Sequence, residues 1–306
     1  MKSFLAAVFA SAVTIAGAQI PGLKGPKIDL GVDALFKKGP AITTNIKDAK
    51  WEVTDKDDFN PPTKPIGTLA RTDRGGFILQ AGGWLGEMQS YCLHAGTHGP
   101  SKGEAYFYAP PKGPYEKLVS IIVENSYSKP EVPQRSIQSL LWAMMARTKF
   151  SQLSRDLQAT AAKLLTAKQI SDLNGGALQF LSDELMAKGL VKEPPLVRQV
   201  MEAENRLRKT FENPASTFGD LEAIAVLNGE IGWGEGSRQA PRGRWNLHPE
   251  GFYVRYLPSG YSHTQVQVWV PEGAACIGKE LNLGTQIAVP GNTARQRLLQ
   301  SGRFYE

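Results

Sequence analysis

Two side chains in this sequence combine residue type and setting in a way that permits covalent chemistry. Cys92 ends a strand-like run over residues 87–94, and Gln138 lies on the apolar stripe of a helical pattern over 134–148. A buried thiol beside a buried carboxamide can condense. Sulfur adds to the carboxamide carbon, the nitrogen leaves as ammonia, and an intramolecular thioester remains, an activated acyl group that lasts while shielded and yields to an amine or hydroxyl. The requirement is geometric: the two residues must come from elements packed together in apolar surroundings. An amide on such a stripe is costly unless it is satisfied, so the plain alternative for Gln138 is a core glutamine bonded to backbone.

Other chemistries share these residues. The chain has two cysteines, Cys92 and Cys276, and in an oxidising compartment a Cys92–Cys276 disulfide is the ordinary expectation. Cys92, His94 and His98 offer three soft ligands on a glycine-rich loop with no fourth nearby, so no metal or other cofactor is assigned. A Cys/His nucleophilic pair, as in a secreted cysteine hydrolase of envelope polymers, requires a base within hydrogen-bond reach of the thiol. Strand alternation places Met88, Ser90, Cys92 and His94 on one face and Gln89, Tyr91 and Leu93 on the other. Neighbours two apart on one strand are about 7 Å apart, which is long for that pair.

The elements that must position these residues read as an α+β fold. Residues 1–18 have the form of a signal peptide, with Lys2, an apolar run over 4–15 and Ala16-Gly17-Ala18 as the cleavage signal. The protein is therefore expected to be secreted, on the cell surface or in the periplasm, without a membrane span. Residues 19–66 are rich in Pro and Gly and read as an extended arm or linker, with strand-like pieces at 41–46 and 50–54. Residues 67–228 read as a β/α unit followed by a helical block. Strands are expected at 77–80 and 87–94 around a Gly82-Gly83 turn and at 106–108, and helices at 115–126, at 134–148, from Ser154, from Thr166, after Pro194-Pro195 and from Thr217. A glycine-rich loop over 229–243 leads to a C-terminal β region, 243–306. It holds a hairpin of 252–257 with 263–270, further strands within 277–289, and a polar tail from 294. The net charge of +6 and pI near 9.2 come from scattered residues, without the basic and aromatic clusters of a nucleic-acid binder.

One stretch resembles a known family. Tyr91-Cys92-Leu93, a Gly/Pro-rich loop, an aromatic strand, a helix, and then Gln138 followed four residues later by Trp142 is similar to the thioester domains of Gram-positive surface adhesins, over residues 88–147. The resemblance implies a thioester between Cys92 and Gln138, shielded by Tyr91 and Trp142 and open to assistance from His94 or His98. It also implies covalent capture of amines on a protein or polysaccharide surface ligand. The sequence departs from the family in having Ile137 where Thr usually precedes the glutamine. A disulfide-stabilised structural or binding module of the cell envelope is the alternative reading.

Overall fold

Period-two alternation in the strands sorts side chains onto the two faces of one sheet, and the two faces gather two different cores. The computed structural model describes residues 40–51, 55–175 and 194–306; the expected signal peptide and the arm up to residue 39 lie outside them. The strands are β1 (Thr63–Pro65), β2 (Phe77–Ile78), β3 (Gly82–Cys92), β4 (Thr97–His98), β5 (Tyr106–Ala109), β6 (Val226–Leu227), β7 (Asn246–Leu247), β8 (Tyr253–Pro258), β9 (His263–Val270), β10 (Glu280–Leu281), β11 (Ile287–Pro290) and β12 (Leu298–Phe304). The main sheet runs β5-β11-β12-β3-β9-β8-β7, with β1 added in parallel to β3. The helices are α1 (Glu116–Tyr127), α2 (Gln134–Met145), α3 (Arg155–Leu164), α4 (Ala167–Gly175), α5 (Pro195–Phe211) and α6 (Phe218–Ala225). The α+β class is thus observed. Strands from both ends of the described chain share the main sheet, so it crosses the boundary expected between 67–228 and 243–306.

On one face, Tyr91, Phe107, Ile287 and Leu299 meet the apolar side of the helices, including Ile137, Leu141 and Trp142. The other face buries Trp84, Met88, Tyr106, Tyr256, Val266 and Leu298 under Ile66, Phe77 and Cys276. Helix starts follow the expected signals. Ser154 caps α3 through Leu157 N–H, and Thr166 with Gln169 forms the reciprocal box at α4. Helix α2 stops where Arg147 takes a left-handed φ of 55°. The hairpin β8–β9 forms as expected. Among the described residues, no helix is long and apolar enough to cross a membrane.

Three expectations are corrected. Gly82-Gly83 is not a turn between 77–80 and 87–94: it opens the single long strand β3, while β2 pairs with β10. The reason is close approach, since a Cβ on Gly83 would lie 2.4 Å from the Pro62 carbonyl oxygen at the entry to β1. Residues 41–46 are not a strand; Ala41 and Ile42 pack into the helix-side core and Asn45 caps a 3-10 turn, Ile46–Asp48. Of the strand expected at 50–54, residues 52–54 lie outside the described ones. Finally, the polar tail contains β12, a central strand between β11 and β3. Its buried Gln300 and Ser301 hide it from a hydrophobicity pattern.

Candidate functional site

Helix α2 crosses the end of β3 with two glutamines one turn apart facing the strand backbone. Gln134 Nε2 donates to the carbonyl oxygens of Ser90 (3.1 Å) and Ser262 (2.6 Å). One turn on, Gln138 meets Cys92 in both directions: the Cys92 backbone N–H donates to Gln138 Oε1 at 2.8 Å, and Gln138 Nε2 donates to the Cys92 carbonyl oxygen at 3.1 Å. The sequence-derived pair is therefore brought together, although the contact runs through the cysteine's backbone. Both residues are buried, Cys92 fully and Gln138 to 2 % exposure.

Burial pushes the Cys92 thiol up to about 12. The His94 backbone N–H and the Trp142 indole N–H lie against the sulfur and offset this in part. The indole N–H is fully buried and makes no hydrogen bond of standard geometry, and the Tyr106 hydroxyl is likewise buried without a partner. Thiolate charge at Cys92 would oppose that of Tyr106 and Tyr261, which places both phenols near the sulfur. Trp142 packs between Phe218 (5.5 Å between ring centroids) and Tyr261 (6.2 Å). Beyond Phe218 a cavity of about 760 Å³ opens, lined by hydroxyls such as Ser136, Ser139 and Thr217 and by Arg135.

The other expected participants sort themselves. Tyr91 belongs to the helix-side core and donates its hydroxyl to Gln89 Oε1 (3.0 Å). His94 is buried, and its Nδ1 accepts a hydrogen bond from Arg297 Nη1 at 2.5 Å. Burial and the Arg297 charge hold its imidazole well below the usual range, so it is neutral and protonated on Nε2. A neutral imidazole facing a guanidinium beside an un-ionised thiol does not form a thiolate–imidazolium pair, which leaves the hydrolase reading without its activated nucleophile. His98 sits in β4, with Arg295 and Glu104 as its charged neighbours. Among the described residues, no group of three His, Cys, Asp or Glu comes together to hold a metal.

The Cys92–Cys276 disulfide is a correction: both cysteines are buried free thiols. Cys276 lies in a turn after β9 within the core of the opposite sheet face, while the Cys92 sulfur faces Trp142 and the His94 backbone. Sequence reasoning missed Arg297, Gln134, Tyr106 and Tyr261. Gln134 carried a legible signal, because it precedes Gln138 by one helical turn. Arg297 carried none, since a buried arginine bonded to His94 and to the Thr44 carbonyl reads as surface charge. No protein-family model, no curated protein and no solved structure matches this chain.

Proposed function

We propose that this chain is a secreted or surface-exposed adhesion protein, similar in its site to thioester domains, in which Cys92 and Gln138 condense to an internal thioester that captures amines. One observation carries the reading: the carboxamide of a buried glutamine is locked against the backbone of a buried cysteine. The Cys92 N–H donating to Oε1 polarises the carbonyl as an oxyanion-hole donor does. In the condensation the S–Cδ bond forms, the Cδ–Nε2 bond breaks, and the thiol proton leaves with nitrogen as ammonia. Capture reverses the sense: an amine nitrogen bonds Cδ, the S–C bond breaks, and the thiol is restored. A thiol raised to about 12 is a poor leaving group, which suits an acyl group meant to persist until a nucleophile arrives. The orphaned donors of Trp142 and Tyr106 support a polar acceptor near the sulfur. The cavity lined by Phe218, whose ring packs on Trp142, is the side from which we take an amine-bearing partner to approach.

A second reading is favoured by Gln134, which holds the same strand in the same way: both glutamines then simply pin α2 to β3 in an envelope module without covalent chemistry. Intact mass without reductant separates the two. A thioester lowers the mass by one ammonia, mapped to the Cys92 and Gln138 peptides and away from Gln19, leaves a single titratable thiol, and adds methylamine at Gln138. Hydrolysis after formation is read as glutamate at position 138. Full mass, two thiols in denaturant and no methylamine uptake would establish the pinning role instead.

A further inference from the structure

The turn of the β8–β9 hairpin holds a serine, a histidine and a carboxylate in one hydrogen-bonded line. Ser259 Oγ lies 2.8 Å from His263 Nδ1, and His263 Nε2 lies 2.6 Å from Glu87 Oε2. A carboxylate only accepts hydrogen bonds, so Nε2 carries the proton when the ring is neutral. Nδ1 is then the free lone pair, and the Ser259 hydroxyl donates to it. Nucleophile, general base and orienting acid thus stand in the order that activates a serine. The two ring nitrogens are exchanged relative to the usual serine triad, which is defined by geometry and role.

Each member is held in place. Glu87 Oε1 accepts from Gln265 Nε2 at 2.6 Å, which leaves Oε2 for the imidazole. Tyr305 stacks on the His263 ring at 4.2 Å with planes 8° apart, and its backbone N–H donates to the Glu87 carbonyl at 2.8 Å. The Ser259 N–H donates to the His263 carbonyl at 3.1 Å. The rest of the turn is anchored from below: the Tyr261 carbonyl accepts from Ser90 Oγ (3.0 Å), and the Ser262 carbonyl from Ser90 N–H (2.9 Å) and Gln134 Nε2 (2.6 Å). Groups fixed in this way need little reorganisation when a substrate arrives.

The serine is also accessible. Ser259 is exposed, and a Cβ on Gly260 would meet nothing within 4 Å. Among the described residues, the N–H groups of Gly260 and Tyr261 find no acceptor, which leaves backbone donors beside the nucleophile for a developing oxyanion. The chain's own segment 55–62 covers the other end of the hairpin, with Lys56 and Phe59 on Trp269 and Asn60 on Arg255. At the His263 end, a groove of about 370 Å³ runs from Glu87 and Tyr305 along Leu85, Pro65 and Phe304, and its walls are mainly apolar.

We propose that Ser259, His263 and Glu87 form a site, separate from Cys92 and Gln138, that hydrolyses carboxylic esters carrying an aliphatic chain, with that chain in the groove. Ser259 Oγ bonds the carbonyl carbon while its proton passes to His263 Nδ1. The imidazolium then gives that proton to the departing alkoxide, the ester C–O bond breaks, and acyl-Ser259 and an alcohol remain. Water attacks the acyl group with His263 taking its proton; the proton returns to Ser259 Oγ and the carboxylic acid leaves. Glu87 stays ionised and steadies the imidazolium.

The test is labelling of the full chain with a fluorophosphonate probe, mapped by peptide, beside hydrolysis of p-nitrophenyl acetate and butyrate. The probe is expected on Ser259, and Ser259→Ala, at an exposed position that does not threaten the fold, removes both label and turnover. His263→Ala should lower both by roughly 10²-fold or more, and Glu87→Gln by roughly tenfold or more. Butyrate should exceed acetate in kcat/KM by roughly three- to tenfold. No label on Ser259, label indifferent to His263→Ala, or turnover that Ser259→Ala leaves intact overturns the proposal. Equal turnover of the two esters overturns the groove as the seat of the chain. Neither readout depends on a thioester, whose presence intact mass reports separately.

Discussion

Replacing Gln138 with leucine isolates what the carboxamide contributes apart from any covalent bond, provided the change is made in a Cys92→Ala background. Both hydrogen bonds end on backbone atoms of residue 92, at 2.8 and 3.1 Å, and survive loss of the thiol. Leucine fills a similar volume but removes the partners of a buried N–H and a buried carbonyl oxygen. Leaving a buried polar group unsatisfied costs about 1–3 kcal/mol. The N–H loses its acceptor outright, whereas the oxygen keeps a second lone pair, so the expected loss is about 2–4 kcal/mol. That is a large share of a typical domain's stability and is read as a shift of the urea midpoint at constant slope. A loss below about 0.5 kcal/mol would show that these contacts do not hold α2 to β3, and the site argument would fall with them. Gln138→Glu is informative in the same background: it keeps the acceptor, loses the donor and sets a carboxylate against the Cys92 carbonyl. Its pKa is then raised in the folded state, so the variant should gain stability as the pH falls.

Two further outcomes follow from the fold. Glu204 accepts from Ala41 N–H (3.2 Å) and pairs with Arg147 at 3.6 Å, yet burial outweighs both and raises it to about 7 from its ordinary 4.5. Its protonated form is favoured by folding, so the Glu204 contribution to stability is full below about pH 4.5 and is lost, by about 3 kcal/mol, as the pH rises through 7. Glu204→Gln should flatten that stretch of the profile, and superimposable wild-type and variant profiles would refute the assignment. Gly83→Ala drives a methyl into the Pro62 carbonyl and should cost about 1–3 kcal/mol, with faster amide exchange in β1; a neutral substitution would mean that β1 moves aside freely.

The sequence was most legible where one periodicity dominated. Helix α2 and the hairpin β8–β9 show their apolar residues at regular spacing, and capping residues mark Ser154, Thr166 and Thr217. The pairing of Cys92 with Gln138 was legible because chemistry narrows the partners of a buried amide. What was hidden depends on tertiary context. Gly83 looks like a turn residue unless one knows that a carbonyl approaches it. Gln296, Arg297, Gln300 and Ser301 look like solvated tail because polarity usually means exposure, yet each is buried and bonded; Ser301, for example, donates to the Gln89 carbonyl. The disulfide was inferred from compartment and cysteine number, and neither encodes distance.

Strand β12 also sets an order of events. It lies between β11 and β3, places Leu298 opposite Cys92, and joins residues as far as 231 apart in sequence, as between Gly302 and Arg71. A growing chain shorter than residue 298 has no strand to fill that gap. The end of β3 then lacks its neighbour, and α2 has only part of a surface to dock on. Contacts this remote in sequence form late because the loop must close before they stabilise anything. The thiol and the carboxamide, only 46 residues apart, can meet before that, but the wall that β12 sets beside the end of β3 closes after them. Were the proposed thioester to form only after that closure, its acyl group would not be exposed on a half-built chain, where water or a stray amine would consume it.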